Sequence, residues 1–215
     1  MKDMKLGLYV ITWSDPGMGR GHLDVARAAV EGGADALQLR DKEAGGRNLF
    51  SLAVEMREMA EKERGGCLFF LNDRIDIAQA AGAHGAHLGQ DDLPAGAARA
   101  LLGEGMILGI SAATVEEAVE AEAAGADYLG VGPVFATPSK ADAVPPVGLK
   151  GLRGIKEAVG IPVVAIGGVS EDVVEEVFGA GADGIAVISA VAGAEDMLEA
   201  VRRLRRAVDS CLAGR

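Results

Sequence analysis

A short phrase recurs four times along this chain: a helical tail, then Gly-Ala-Asp or Gly-Ala-His, then an apolar run. The copies are Gly33-Ala34-Asp35 before ALQLR, Gly82-Ala83-His84 before GAHLG, Gly125-Ala126-Asp127 before YLGVG, and Gly181-Ala182-Asp183 before GIAVIS. Glycine ends a helix readily, and a buried strand directly after it is the joint of a parallel βα repeat. The apolar runs lead into polar clusters: Gln38-Leu39-Arg40-Asp41-Lys42, Gln90-Asp91-Asp92, Thr137-Pro138-Ser139-Lys140 and Ile188-Ser189. Charged groups at the same end of repeated strands point to an enzyme built on a closed barrel.

Strand-like runs cover 6–12, 36–40, 67–71, 85–88, 107–111, 128–132, 163–167 and 184–189. All are short and apolar on both faces, as strands covered on both sides must be. Helical stretches lie between them, among them 49–62, 115–124 and 172–180. Thr114 ahead of Glu117, and Ser170 ahead of Asp172, supply capping residues for two of these. Eight strands alternating with eight helices predict an α/β (β/α)8 TIM barrel forming a single domain over residues 1–215. A doubly wound open sheet is the alternative. Its first turn would carry a G-x-G-x-x-G fingerprint, which Gly17-Met18-Gly19-Arg20-Gly21 does not fit.

Composition narrows the partners. The formal charge of −11 argues against a broad basic surface for nucleic acid, while a few local cations still suffice for a small anionic substrate. Cys67 and Cys211 have no metal-ligand spacing and form no disulfide framework. No charged-then-apolar signal segment opens the chain and no apolar run reaches membrane-spanning length, so the expectation is a cytoplasmic protein with no membrane partner. Assembly into a homo-oligomer stays open.

The strand ends carry the chemistry. Gln38, Arg40 and Lys42 alternate along the end of the second strand, which places two cations and an amide on one side. Such a set suits a multiply charged anion, or is a strand ending in solvated charge. Asn72-Asp73 ends the third strand and Gln90-Asp91-Asp92 the fourth. Asp73 and Asp92 are a natural carboxylate pair for Mg²⁺, which takes oxygen ligands and substrate phosphates. Alternatively, each caps the helix that follows. Cations on the neighbouring strand favour a metal-bridged pyrophosphate over two caps.

Ser111, Thr137, Ser139 and Lys140 offer hydroxyls and an ammonium to phosphate oxygens, the last three from a polar, proline-rich interval over 135–148. Gly167-Gly168 and Ile188-Ser189 form a second polar site, where barrels of this type often bind phosphate. The glycine pair also suits a tight turn with positive φ. His84 and His87 read as structural, and His22 begins the first helix. Trp13 either walls a ring-binding pocket or plugs the barrel mouth.

Taken in order, QLRDK, LNDR, HLGQDD, GIS, GPVFATPSK, PPVGL, AIGGVS and VISAV resemble the thiamine-phosphate synthase family, from about Tyr9 to the final helix. The resemblance implies a (β/α)8 enzyme, a transferase. It couples 4-amino-5-hydroxymethyl-2-methylpyrimidine diphosphate to thiazole phosphate and releases pyrophosphate with Mg²⁺. It further implies that Gln38, Arg40 and Lys42 contact the pyrimidine diphosphate, that Asn72 helps hold its diphosphate, and that Asp73 and Asp92 carry the metal. Ser111 and Lys140 would bind the departing pyrophosphate, and Thr137 and Ser139 the thiazole. Gly168, Ile188 and Ser189 would hold the thiazole phosphate. Arg40, Lys42, Ser111 and Lys140 would thus be the catalytic set.

This chain has Trp13 where many members have Asp, Ala113 where many have His, and Ser139 where Thr is frequent. The nearest rival is a thiazole tautomerase of the same fold, which works without a metal; it would need a His near Ala113 and would lose the carboxylate pair. A non-catalytic phosphate-binding barrel would not need both the cations and the carboxylates.

Overall fold

Strands that are apolar on both faces need helices outside and a packed interior within. The computed structural model describes residues 4–14, 19–62, 66–137 and 145–214 and has that form. Eight parallel strands close in chain order: β1 (Leu8–Ile11), β2 (Ala36–Leu39), β3 (Leu68–Asn72), β4 (Gly85–Leu88), β5 (Ile107–Ala112), β6 (Tyr128–Val131), β7 (Val163–Ile166) and β8 (Gly184–Val187). The helices are α1 (His22–Glu31), α2 (Gly46–Lys62), α3 (Ile75–Ala81), α4 (Ala95–Leu102), α5 (Val115–Ala123), α6 (Gly148–Ala158), α7 (Val174–Gly179), α8 (Ser189–Ala192) and α9 (Met197–Ala213). The (β/α)8 expectation holds, with one correction. Among the described residues a ninth helix, the single turn α8, stands between β8 and the outer helix α9. No described helix is long and apolar enough to cross a membrane.

Capping follows the sequence at one end and departs from it at another. Thr114 accepts a hydrogen bond from Glu117 N at 3.2 Å and caps α5. Ser170 makes no such bond. The chain instead tightens into a 3₁₀ turn over Glu171–Val173 before α7 begins.

The four recurrent joints share one construction. Gly33, Gly82, Gly125 and Gly181 all take positive φ, between 68° and 103°, which glycine adopts without a Cβ penalty. The residue two positions on then makes a reciprocal pair with the preceding strand. Asp35 N donates to Leu8 O, and Asp35 Oδ2 accepts from Leu8 N at 2.8 Å. Asp127 treats Leu108 in the same way, and Asp183 treats Val163. His84 repeats the pattern on Phe69, with Nδ1 accepting from Phe69 N at 3.0 Å. The one exception in the repeat therefore has the same job, as expected of a structural histidine.

Each carboxylate also meets a cation from a helix of the neighbouring unit. The pairs are Asp35 with Arg205 of α9 at 2.6 Å, Asp127 with Arg99 of α4, and Asp183 with Lys156 of α6 at 2.8 Å.

Alternation along the strands separates two cores. Leu8, Val10, Leu37, Leu39, Phe69 and Leu71 face outward into the layer beneath the helices. Tyr9, Ile11, Ala36, Phe70, Tyr128, Val164 and Ala186 face inward. The rings of Tyr9, Phe70 and Tyr128 lie 5.3–6.0 Å apart, centroid to centroid, and plug the barrel. Small residues opposite make that possible. A methyl on Gly109 would fall 2.5 Å from His87 Nδ1 and closer still to the Tyr128 ring.

Candidate active site

Above the aromatic plug, the carboxyl-terminal ends of the strands surround a cavity of about 890 Å³, a size suited to small molecules. Its wall gathers the polar strand ends. β2 brings Gln38, Arg40 and Lys42; β3 brings Asn72 and Asp73; β4 leads to Asp92, and β5 brings Ser111. Thr137 arrives from the segment after β6, Gly167 and Gly168 from that after β7, and Ile188 and Ser189 from the end of β8. Gly167 and Gly168 take φ values of 94° and 68°, so the turn expected of them is present and its backbone lines the cavity. Ser139 and Lys140, also expected here, lie outside the described residues.

The carboxylates do not cap helices. Neither Arg74, at the start of α3, nor Pro94, at the start of α4, is replaced or assisted by a side-chain cap. Asp73 instead sits at φ 60°, the one non-glycine residue with positive φ among those described. Its N–H donates to His87 O at 2.9 Å and so binds the end of β3 to β4. Backbone held in a sparsely populated region is a hallmark of functional positions. Asp92 Oδ2 accepts from Gly89 N at 2.7 Å. Burial, and then the hydrogen-bonded carboxyl of Asp92, push Asp73 up to about 6, while Lys42 and Arg40 pull it down. With both carboxyls ionised, the Asp73–Asp92 pair balances the charges of Arg40 and Lys42 across the rim.

Among the described residues no group of three or more His, Cys, Asp and Glu side chains is arranged to hold a metal ion. Two neighbouring carboxylates can supply part of the oxygen shell of a cation that fills its remaining positions with water and phosphate oxygens, as Mg²⁺ does. A divalent cation between Asp73 and Asp92 would replace the proton they share.

The floor links two expected site residues, Gln38 and Ser111, through three that the sequence did not assign to the site, Tyr9, Tyr128 and His87. Gln38, only 2% exposed, donates from Nε2 to the Tyr9 hydroxyl at 2.9 Å. Tyr9 and Tyr128 share a 3.0 Å hydrogen bond, Tyr128 OH meets His87 Nδ1 at 3.0 Å, and His87 Nε2 meets Ser111 Oγ at 3.0 Å. Burial raises both phenols well above the usual tyrosine range, so each keeps its proton. Gln38 donates to Tyr9, and the buried Tyr9 proton is satisfied when the chain runs on Gln38 → Tyr9 → Tyr128 → His87 → Ser111; in that arrangement Ser111 keeps its own O–H for a ligand. His87 thus lines the cavity and links Tyr128 to Ser111. Its place two residues beyond Gly85, on the inward face of β4, was the available signal.

Trp13 is 45% exposed and lines the mouth, so it walls the cavity and does not plug the barrel. Cys67 is buried, and burial pushes its thiol to about 12, which leaves it inert.

A family model described as thiamine monophosphate synthase matches residues 8–191. The thiamine-phosphate synthase of Moorella thermoacetica is 53% identical over 201 residues, covering 94% of this chain and 95% of that protein. Its counterpart in Methanoculleus marisnigri is 52% identical over 202 residues, again covering 94% and 95%. The solved structure of a thiamine phosphate pyrophosphorylase from Pyrococcus furiosus matches with a TM-score of 0.87 at 44% identity, covering 97% of this chain and 98% of that one.

Proposed function

The chain belongs to the thiamine monophosphate synthase family, and on that premise we propose how its rim carries out the synthase reaction. It is an enzyme of thiamine biosynthesis, a transferase. The reaction joins the pyrimidine diphosphate to the thiazole phosphate, two small molecules met in the cytoplasm, and gives thiamine phosphate and pyrophosphate. The C–O bond at the pyrimidine methylene breaks, with both electrons leaving on the diphosphate. The thiazole nitrogen then forms the new C–N bond with its lone pair. Such a step needs a stabilised leaving group more than a strong base.

The observation that carries this reading is the opposition of Asp73 and Asp92 to Arg40 and Lys42 at one edge of the cavity. Arg40 and Lys42 hold the diphosphate, and Asn72 contributes its amide beside them. Asp73 and Asp92 would hold Mg²⁺, which when bound neutralises charge on the phosphate oxygens. Ser111, at the end of its directed chain of donors, keeps its proton and donates a hydrogen bond to an oxygen of the departing pyrophosphate, where Lys140 supplies a further positive charge. Gln38, tied to Tyr9 through its amide nitrogen, presents its carbonyl oxygen to the amino group of the pyrimidine. Thr137 and Ser139 bind the thiazole, and Gly168, Ile188 and Ser189 bind its phosphate from the opposite side of the mouth. The tautomerase alternative is not favoured, because Ala113 stands where it needs a histidine.

Incubation with both substrates and Mg²⁺ is expected to yield thiamine phosphate and pyrophosphate, and chelation to stop it. Asp92→Asn should cut turnover by about tenfold or more if the carboxylate positions the cation. Undiminished turnover after chelation would remove the metal assignment, and no product at any Mg²⁺ concentration would remove the synthase reading.

A further inference from the structure

His22 opens α1, is only 8% exposed, and lines the cavity beside the diphosphate end. The reaction above gives it no part. Its Nδ1 lies 2.7 Å from Thr12 Oγ1 and its Nε2 lies 3.3 Å from Asp41 Oδ2. Asp-His-Thr is the order of a hydrolase relay, but Thr12 is 1% exposed and no substrate carbonyl can reach it. The cluster must serve its neighbours.

Those neighbours are the diphosphate-binding cations. Asp41 stands between Arg40 and Lys42 in the chain, and all three line the cavity. Every partner of Asp41 that the structure records lies outside that pair. Oδ1 takes Glu43 N and Ala44 N, both at 2.9 Å, and Oδ2 takes His22. Thr12 binds the same turn from below, since Thr12 N donates to Gln38 O at 2.9 Å and Thr12 Oγ1 accepts from Arg40 N at 3.4 Å. A carboxylate acceptor requires a proton on Nε2. In the neutral imidazole Nδ1 then accepts from the Thr12 hydroxyl, so every member donates and accepts consistently. Burial lowers the proton affinity of His22, in keeping with that tautomer.

We propose that His22 is a positioning residue that holds the Asp41 carboxylate off Arg40 and Lys42, so that both cations stay available to the substrate diphosphate. An unrestrained carboxylate between two cations pairs with one of them, because opposite charges a few ångströms apart attract strongly in a partly dry site. It also competes with phosphate for the same donors. His22 prevents both by occupying Oδ2.

This inference rests on the synthase reading, and amide substitutions separate the two. The amide of Asn reaches where Nδ1 stands and keeps the Thr12 end; that of Gln reaches where Nε2 stands and keeps the Asp41 end. His22→Asn is expected to raise the KM for the pyrimidine diphosphate about tenfold, with the KM for thiazole phosphate unchanged. His22→Gln should stay near the wild type. The decisive variant is His22→Asn with Asp41→Asn, which removes the charge His22 restrains yet keeps an oxygen for Glu43 N and Ala44 N; the diphosphate KM should return towards the wild-type value. A packing role would give no such recovery. Wild-type KM in His22→Asn, a raised KM in His22→Gln, or no recovery in the double variant each overturns the proposal, whereas absence of turnover in the wild type overturns the synthase reading itself. Thermal melts establish that each variant is folded, and His22→Gln decides the matter if His22→Asn is not.

Discussion

Replacing Asp73 by Asn should stabilise the metal-free protein while removing its response to Mg²⁺. Burial and Asp92 move the Asp73 carboxyl from 3.8 to about 6 on folding. A rise of that size corresponds to ~3 kcal/mol lost from the folded state once the solution is above both values. Asp73 is half-buried, and solvent screening reduces the figure to about 1.5 kcal/mol. The sign follows from proton linkage. Below 3.8 the carboxyl is protonated folded and unfolded, and the pair costs nothing. As pH rises through about 6 the folded protein must give up a proton it binds tightly, and stability falls.

Asn at this position does not titrate, can still donate to Asp92, and tolerates the φ of 60° better than most residues. For a chain of 215 residues, 1.5 kcal/mol corresponds to ~3–6 °C in melting temperature. Thermal melts of both proteins, taken at intervals from about pH 4 to about pH 8, should show a gap that opens across that range in favour of the variant. Mg²⁺ with pyrophosphate should then raise the wild-type melting temperature at the higher pH and leave that of the variant unmoved. A gap independent of pH, or a variant less stable than the wild type at about pH 8, would refute the shared-proton account of this pair.

The joints make a second prediction. Asp35→Ala leaves Leu8 N without its acceptor and takes one of its two carboxylate partners from Arg205, which keeps Asp209; it should cost about 2–3 kcal/mol in urea unfolding, whereas His84→Ala takes the acceptor from Phe69 N and should cost about 1–2 kcal/mol. Equal losses would show that the ion pair contributes nothing. Gly109→Ala drives a methyl into Tyr128 and His87; a loss of about 1–3 kcal/mol is expected, together with a fall in turnover from the displaced floor, and a melt identical to the wild type would contradict it. Ser111→Ala should slow single-turnover chemistry by about tenfold to a hundredfold with a nearly unchanged melting temperature, because the donor acts on charge that develops during the reaction.

What could be read from the sequence followed from repetition and position. The joints announced the barrel because a glycine after each helix and an apolar run after each joint recur in register. Arg40, Asp73, Asp92 and Ser189 could be placed at one rim because each ends such a run. His87 lies inside a run, where an apolar neighbourhood suggests packing. Its role became visible only when β5 and β6 placed Ser111 and Tyr128 at its two nitrogens. The His22–Asp41 contact was illegible for a related reason: it joins the start of α1 to the turn after β2, which the pairing of β1 with β2 brings together. The turn α8 had no signal, since four residues are too few for periodicity.

The ion pair between Asp35 and Arg205 has a consequence for the order in which the molecule is made. Asp35 seals the first quarter of the barrel, yet the cation that completes it is 170 residues further along. A nascent chain emerging amino-terminus first therefore carries that quarter with a charged, half-built seam until α9 leaves the ribosome. In the second quarter His84 closes on Phe69, 15 residues back, and Arg57 of α2, beside Gly82, pairs with Glu61 of its own helix. The first joint to be synthesised therefore gains its recorded ion-pair partner only with the last helix of the chain.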